Sequence, residues 1–239
     1  MKLIIDLGNT LKKFAFFEKG EMKDLYHFEK FDLDKLEKML EEVPVRASIL
    51  SSVINYPERL TDILAARSRF IKLTHNTHLP VKLKYNTPET LGKDRIAASV
   101  AGSHLYPKRN VLIITAGTCI TYDMVTADKE YLGGAIAPGI SMRYKALNTF
   151  TDHLPLLEMS DDIRLTGRST EESIRSGVQV AVLEEMNGMI NRFRQDYKDL
   201  IIILSGGDAK YFDKKLKNNI FAVPNIVLTG LNIILDFNV

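Results

Sequence analysis

One short pattern occurs twice in this chain and constrains its fold more than any other feature. It reads Leu3-Ile4-Ile5-Asp6-Leu7-Gly8-Asn9-Thr10 near the start and Leu112-Ile113-Ile114-Thr115-Ala116-Gly117-Thr118 in the middle. Each copy is an apolar strand running into a turn of small residues. Backbone N–H groups and hydroxyls converge at such a turn, and two facing copies make a cradle able to hold phosphate oxygens. The first strand ends on a carboxylate, Asp6, which suits a side chain holding a magnesium-bound phosphate, whereas the second copy has Thr115 there.

With 239 residues the chain can form two lobes of ordinary size, each with its own core, and the repeat places the expected division at residues 1–108 and 109–239. Thirty-two Lys and Arg against 30 Asp and Glu leave a formal charge of +2, too balanced for a nucleic-acid-binding surface. Cys119 is the only cysteine, so no internal disulfide forms, and no Cys/His cluster has zinc spacing; a reducing compartment fits. No apolar run has signal-peptide length at the start or membrane-spanning length later, which predicts a soluble, cytoplasmic protein.

Strand and helix patterns alternate along the chain, which makes the fold class α/β. Residues 2–6 and 12–18 read as strands around the Gly8-Asn9 turn, followed by a second turn at 19–22 and a strand near 25–28. Helical spacing marks 33–40, a buried strand 47–50, and a proline-led helix 57–66. Residues 72–84 are polar and irregular with some strand character, and Thr87-Pro88 introduces a helix through 95–105. In the second half, 111–114 and 120–125 read as strands, and Ser169 with Glu172 forms a capping box that opens a long helix to Phe193. Two further apolar runs, 200–204 into Ser205-Gly206-Gly207-Asp208 and 225–228 into Thr229-Gly230-Leu231, read as buried strands entering glycine turns.

Candidate chemistry gathers at these turns. Asp6-Leu7-Gly8-Asn9-Thr10 is either a plain hairpin or a phosphate turn, since Asp, Gly, Asn and Thr form turns for backbone reasons alone. Lys13, on the strand leaving it, is either a phosphate ligand or a solvated lysine beside Lys12. Gly92-Lys93-Asp94-Arg95 sets a carboxylate and a guanidinium near a helix start. Asp94 there can offset the helix dipole, accept a proton from a hydroxyl attacking phosphorus, or do both, with Arg95 holding the anionic end of that substrate. Gly133-Gly134 through Pro138-Gly139 carries too many backbone-special residues for a plain strand and reads as a close ligand approach or as a bulge and bend. Met142, Met186 and Met189 read as filler, and His75, His78 and His153 lack metal spacing.

Taken in order, Asp6 to Thr10, Leu91 to Arg95, Ala116-Gly117-Thr118 with Thr121 and Asp123, Gly133 to Gly139, Gly167 to Thr170, Ser205-Gly206-Gly207 and Thr229-Gly230-Leu231 resemble the type III pantothenate kinases over nearly the whole chain. The resemblance implies two ribonuclease-H-like lobes of the sugar kinase, heat-shock-ATPase and actin superfamily, with ATP bound in the cleft between them. It implies phosphorylation of pantothenate, the first step of coenzyme A synthesis, by a homodimer using ATP, Mg2+ and a monovalent cation, K+ or NH4+. By the same resemblance Asp6 places Mg2+ and the phosphates. Gly8, Asn9, Thr10, Lys13, Gly117 and Thr118 line the phosphates, and Asp94 is the base. Tyr85, Gly92, Lys93 and Arg95 meet pantothenate, Thr170 reaches that pocket across the dimer interface, and Asp123 holds the monovalent cation.

Thr115 departs from the resemblance, which puts a second strand-end aspartate there. A hydroxyl cannot supply the negative charge that holds a metal or orders its water shell. Beside the kinase stand two other readings: an idle homologue acting through a protein partner, and a kinase for another alcohol on the same fold.

Overall fold

The computed structural model describes residues 1–239 and divides them into two compact units. The first comprises residues 1–107, 129–132 and 225–239; the second comprises 108–128 and 133–224.

The first unit opens with a meander of β1 (Lys2–Leu7), β2 (Lys12–Glu18) and β3 (Glu21–Phe28). It continues through α1 (Leu33–Glu42), β4 (Ala47–Ser52), α2 (Arg59–Arg67), β5 (Arg69–Lys72), the short β6 (Lys82–Leu83) and α3 (Lys93–Leu105). The sheet order is β3-β2-β1-β4-β5, with β1 antiparallel to β2 and parallel to β4. β1 is covered on both faces, which is why it reads as an unbroken apolar run rather than an alternating one. Leu3, Ile5 and Leu7 pack with Leu36 of α1 and Leu60 and Leu64 of α2. α1 starts where Asp32 accepts a hydrogen bond from the Lys35 N–H at 3.2 Å, an N-cap worth about 1 kcal/mol.

The second unit contains β7 (Val111–Ala116), β8 (Cys119–Val125), β9 (Glu130–Pro138), α4 (Ile140–Thr149), α5 (Thr170–Arg175), α6 (Ala181–Asp196), β10 (Ile201–Ser205), α7 (Ala209–Asp213) and β11 (Phe221–Ala222). The first residues of β9 group with the first unit, where Glu130 and Tyr131 pair in parallel with Lys82 and Leu83. Its strands follow the order β11-β10-β7-β8-β9, with β7 antiparallel to β8 and parallel to β10. That is the connectivity of β5-β4-β1-β2-β3 in the first unit. The core joins Leu112, Ile114, Ile202 and Leu204 to Val182, Met186 and Ile190 of α6.

Several elements differ from the sequence reading. The 225–228 run is not a strand but the first turn of α8 (Ile226–Asn238), which returns to the first unit and packs on α3. A short apolar run does not reveal its period, and α8 is buried on several sides, with Ile226, Leu228, Leu231, Ile234 and Leu235 all inaccessible. Gly230 lets the helices touch: a Cβ there would lie 1.8 Å from the Ala97 carbonyl oxygen. The expected division after residue 108 assigns this helix to the second lobe, whereas its packing is with the first unit. The long helix from Ser169 is interrupted by a π-helical turn, Ser176–Val180, between α5 and α6. Its cap is as expected, Ser169 accepting from the Glu172 N–H at 3.2 Å. The strand character expected within 72–84 is confined to the end of β5 and the short β6, and α4 went unpredicted.

Candidate active site

Asp6 is the next-to-last residue of β1, and the sheet register places a specific neighbour on either side of it. Lys13 lies opposite on β2 and Ser51 on β4. The fully buried Ser51 donates its hydroxyl to Asp6 Oδ1 at 3.3 Å. Asp94 approaches from the first turn of α3, whose N-cap, Gly92, offers no side chain. A Cβ at Gly92 would come within 2.6 Å of Asp94 Oδ1, so the carboxylate rests in the space that glycine leaves.

The Asp6 carboxyl is pushed up from its usual 3.8 to about 6. Burial contributes most and the charge of Asp94 next, against the ammonium of Lys13 and the hydrogen bond from Ser51. Two carboxylates and one lysine thus act on one another electrostatically. The mutual repulsion of the carboxylates is the kind of cost that a bound cation offsets. No group of three or more His, Cys, Asp and Glu side chains could hold a metal by itself. The donor set suits Mg2+ all the same, since that ion is commonly bound by one or two carboxylates together with water and substrate phosphates.

The raised carboxyl has a testable consequence for stability. An acid whose folded pKa lies above its unfolded value favours the folded state at low pH, and that contribution is lost as pH rises from about 4 through 6. Above that window the charged Asp6 costs on the order of 3 kcal/mol. Asp6→Asn is therefore expected to raise the melting temperature of the ligand-free protein by several degrees at pH 8 and to change it little at pH 4. Calorimetric scans at the two pH values check this; equal shifts at both would overturn the burial argument.

The two lysines after the turn behave differently. Lys12 Nζ reaches back to the Asn9 carbonyl at 3.3 Å and steadies the loop. Lys13 Nζ donates to Asn225 Oδ1 at 3.2 Å. The loop closes with the Gly8 N–H donating to the Leu11 carbonyl at 3.1 Å, which leaves Asn9 and Thr10 exposed. Lys93 Nζ lies 3.4 Å from the Ser52 carbonyl, Arg95 is buried, and Tyr85 packs against Tyr131 with ring centroids 6.0 Å apart. The first unit therefore brings together Asp6, Lys13, Lys93 and Asp94, along with Ser51 and Asn225, two residues that sequence reasoning did not single out. Parallel pairing of two apolar strands was the available signal for Ser51; Asn225 had none.

In the second unit Thr115 occupies the same place in β7 that Asp6 has in β1. It lies opposite Thr121 on β8 and Ser205 on β10. Its Oγ1 is buried with no hydrogen-bond partner in the protein. The Gly117 N–H donates to the Cys119 carbonyl at 2.9 Å, and the Thr118 carbonyl accepts from the Gly139 N–H at 3.0 Å. Gly139 is required by that close approach, because a Cβ on it would lie 2.0 Å from the Gly117 carbonyl oxygen. The space at Gly139 is thus filled by backbone, and the 133–138 segment lies within β9. Asp123 is fully buried on β8. Thr170, the first residue of α5, lines a cavity of about 840 Å³ with Leu147, Leu154, Arg168 and Ile174.

Comparison with known proteins gives this geometry a family. The profile of the type III pantothenate kinases matches residues 2–192. The type III pantothenate kinase of Phocaeicola vulgatus is 44% identical over 239 residues, a match that spans all of this chain and 99% of that protein. Among solved structures, a Campylobacter jejuni protein assigned to the Baf family of transcriptional activators superposes with a TM-score of 0.62 at 20% identity, covering 99% of this chain and 98% of that one. An inorganic polyphosphate/ATP-glucomannokinase from Arthrobacter sp. superposes with a TM-score of 0.51 at 15% identity, covering 99% of both chains. At such identities the structures share the fold alone, an α/β fold with mixed sheets found in sugar kinases. No helix is long and apolar enough to cross a membrane.

Proposed function

This chain belongs to the type III pantothenate kinase family, and from that premise we propose how its residues carry the ATP-dependent phosphorylation of pantothenate. Each unit is a ribonuclease-H-like lobe, a reading supported by the shared strand connectivity of the two sheets. The reaction is an in-line displacement in which the pantothenate hydroxyl attacks the γ-phosphorus of ATP, and such transfers are catalysed mainly by positioning and charge stabilisation.

Asp94 accepts the proton from the attacking hydroxyl. Arg95 pairs with the pantothenate carboxylate, while Tyr85, Gly92 and Lys93 complete that pocket. Gly8, Asn9, Thr10 and Lys13 contact the phosphates through backbone N–H groups, hydroxyls and the ammonium, a role that the resemblance gives to Gly117 and Thr118 as well. Asp6 holds Mg2+, and the buried Asp123 is the oxygen donor for K+ or NH4+. When bound, these ions neutralise phosphate charge. In a homodimer Thr170 serves the pantothenate pocket of the partner.

The observation that carries this assignment is the placement of Asp94 in the first turn of α3, with Oδ1 in the space that Gly92 leaves and its charge acting on the Asp6 carboxyl. It sets a base-capable carboxylate beside the residue assigned to the metal and phosphates. Mass-spectrometric detection of phosphopantothenate from pantothenate, MgATP and K+ tests it, and product is expected at a rate proportional to enzyme. Absence of product from the folded protein would favour the second reading, an idle homologue that binds ligand without turnover. The buried Thr115 in place of an aspartate is the observation behind that alternative.

A further inference from the structure

Asn225 opens the run that enters Thr229-Gly230-Leu231, and its side chain reaches Lys13 on β2. It is the N-cap of α8, where asparagine ordinarily accepts a hydrogen bond from the helix's first N–H groups. Here the side chain makes no capping bond. Instead Oδ1 accepts from Lys13 Nζ at 3.2 Å, joining residues 212 positions apart. The Asn225 backbone is left-handed, with φ 54° and ψ 32°, a conformation that asparagine tolerates better than most residues. The buried helix that follows, with Ile226 and Leu228 inaccessible, fixes where that amide points.

We propose that Asn225 is a positioning residue for Lys13, holding its ammonium in place for the phosphates of ATP. The proposal rests on the assignment of Lys13 to those phosphates. A lysine ammonium is a compact charge on a flexible stem and gains precision only from an external anchor. An amide oxygen suits that purpose. It engages one of three N–H donors, leaves two for phosphate oxygens, and being neutral does not cancel the charge the phosphates require. The neighbouring lysine has another anchor, the Asn9 carbonyl, so the two ammonium groups are set apart by their partners.

The test compares dissociation constants for MgATP and for pantothenate, by isothermal titration calorimetry, in the unmodified chain, Asn225→Gly, Lys13→Met and the double variant. Glycine accepts the left-handed backbone and removes only the amide, so the fold and melting temperature are expected to hold. Asn225→Gly is expected to weaken MgATP binding about 10- to 150-fold, the scale of one hydrogen bond to a charged group, with pantothenate binding unchanged. In the Lys13→Met background the same substitution is expected to add nothing, because both changes act through one ammonium. Additive losses, or equal weakening toward both ligands, would reduce Asn225 to a structural contact. If Lys13→Met weakens MgATP binding and Asn225→Gly does not, the inference fails while the assignment of Lys13 stands. If Lys13→Met has no effect, or if the unmodified chain does not bind MgATP, that assignment and the inference fail together.

Discussion

Asp94→Asn is expected to lower kcat by about two to four orders of magnitude, the usual contribution of a positioned general base, while leaving the fold intact. Asparagine has nearly the shape of aspartate and fits the space above Gly92 equally well. It cannot accept the hydroxyl proton, so the attacking oxygen would have to lose that proton to water. If Asp94 only offset the dipole at the start of α3, its loss would cost about 0.3–1 kcal/mol of stability and leave turnover near normal. Phosphopantothenate formation by the two proteins under identical conditions separates these cases. A collapse in kcat in a protein that still folds and melts cooperatively supports the base, and a small stability loss with retained turnover refutes it. The substitution also removes one of the two effects that push the Asp6 carboxyl up, so that carboxyl should move back toward its usual range.

The parts of this molecule that could be read from its sequence are those whose cause is local. β2 occupies residues 12–18 as expected because the Gly8-Asn9 turn and the glycine at position 20 bracket an apolar run. The cap of α5 was legible because Ser169 and Glu172 satisfy neighbouring backbone groups. The repeat itself carried register information: Asp6 and Thr115 are each the fifth residue of a six-residue strand with the same burial pattern. What escaped was set by distant neighbours. α8 opens on Ile226-Val227-Leu228 and reads as strand until α3 is there to cover it. The π-helical turn before α6 accompanies Gln179, which is fully buried and bonded to Tyr144, Ser160 and Tyr211, an arrangement that no local pattern announces. The anchor of Lys13 lies 212 residues away and escaped for the same reason.

Thr115→Asp is expected to raise kcat/KM for MgATP by about tenfold to a thousandfold, the range spanned by a single electrostatic group at a closed reaction site. The position is ready for a carboxylate in backbone terms, since Thr115 is flanked by Thr121 and Ser205 as Asp6 is flanked by Lys13 and Ser51. It differs in charge, because no lysine lies opposite it and its present hydroxyl is buried without a partner. An aspartate introduced there carries a desolvation cost that no lysine offsets. The same substitution should therefore lower the melting temperature of the ligand-free protein and restore it when Mg2+ and nucleotide are added, because ligand binding to the folded state shifts its stability. This reversal of sign distinguishes a recovered cation ligand from a general change in stability. A gain in turnover with a lower Mg2+ requirement would identify the hydroxyl as a weakening departure within a working kinase. Unchanged or reduced turnover, with destabilisation that Mg2+ and nucleotide do not relieve, would mean that phosphoryl transfer in this chain relies on the carboxylates of the first unit alone.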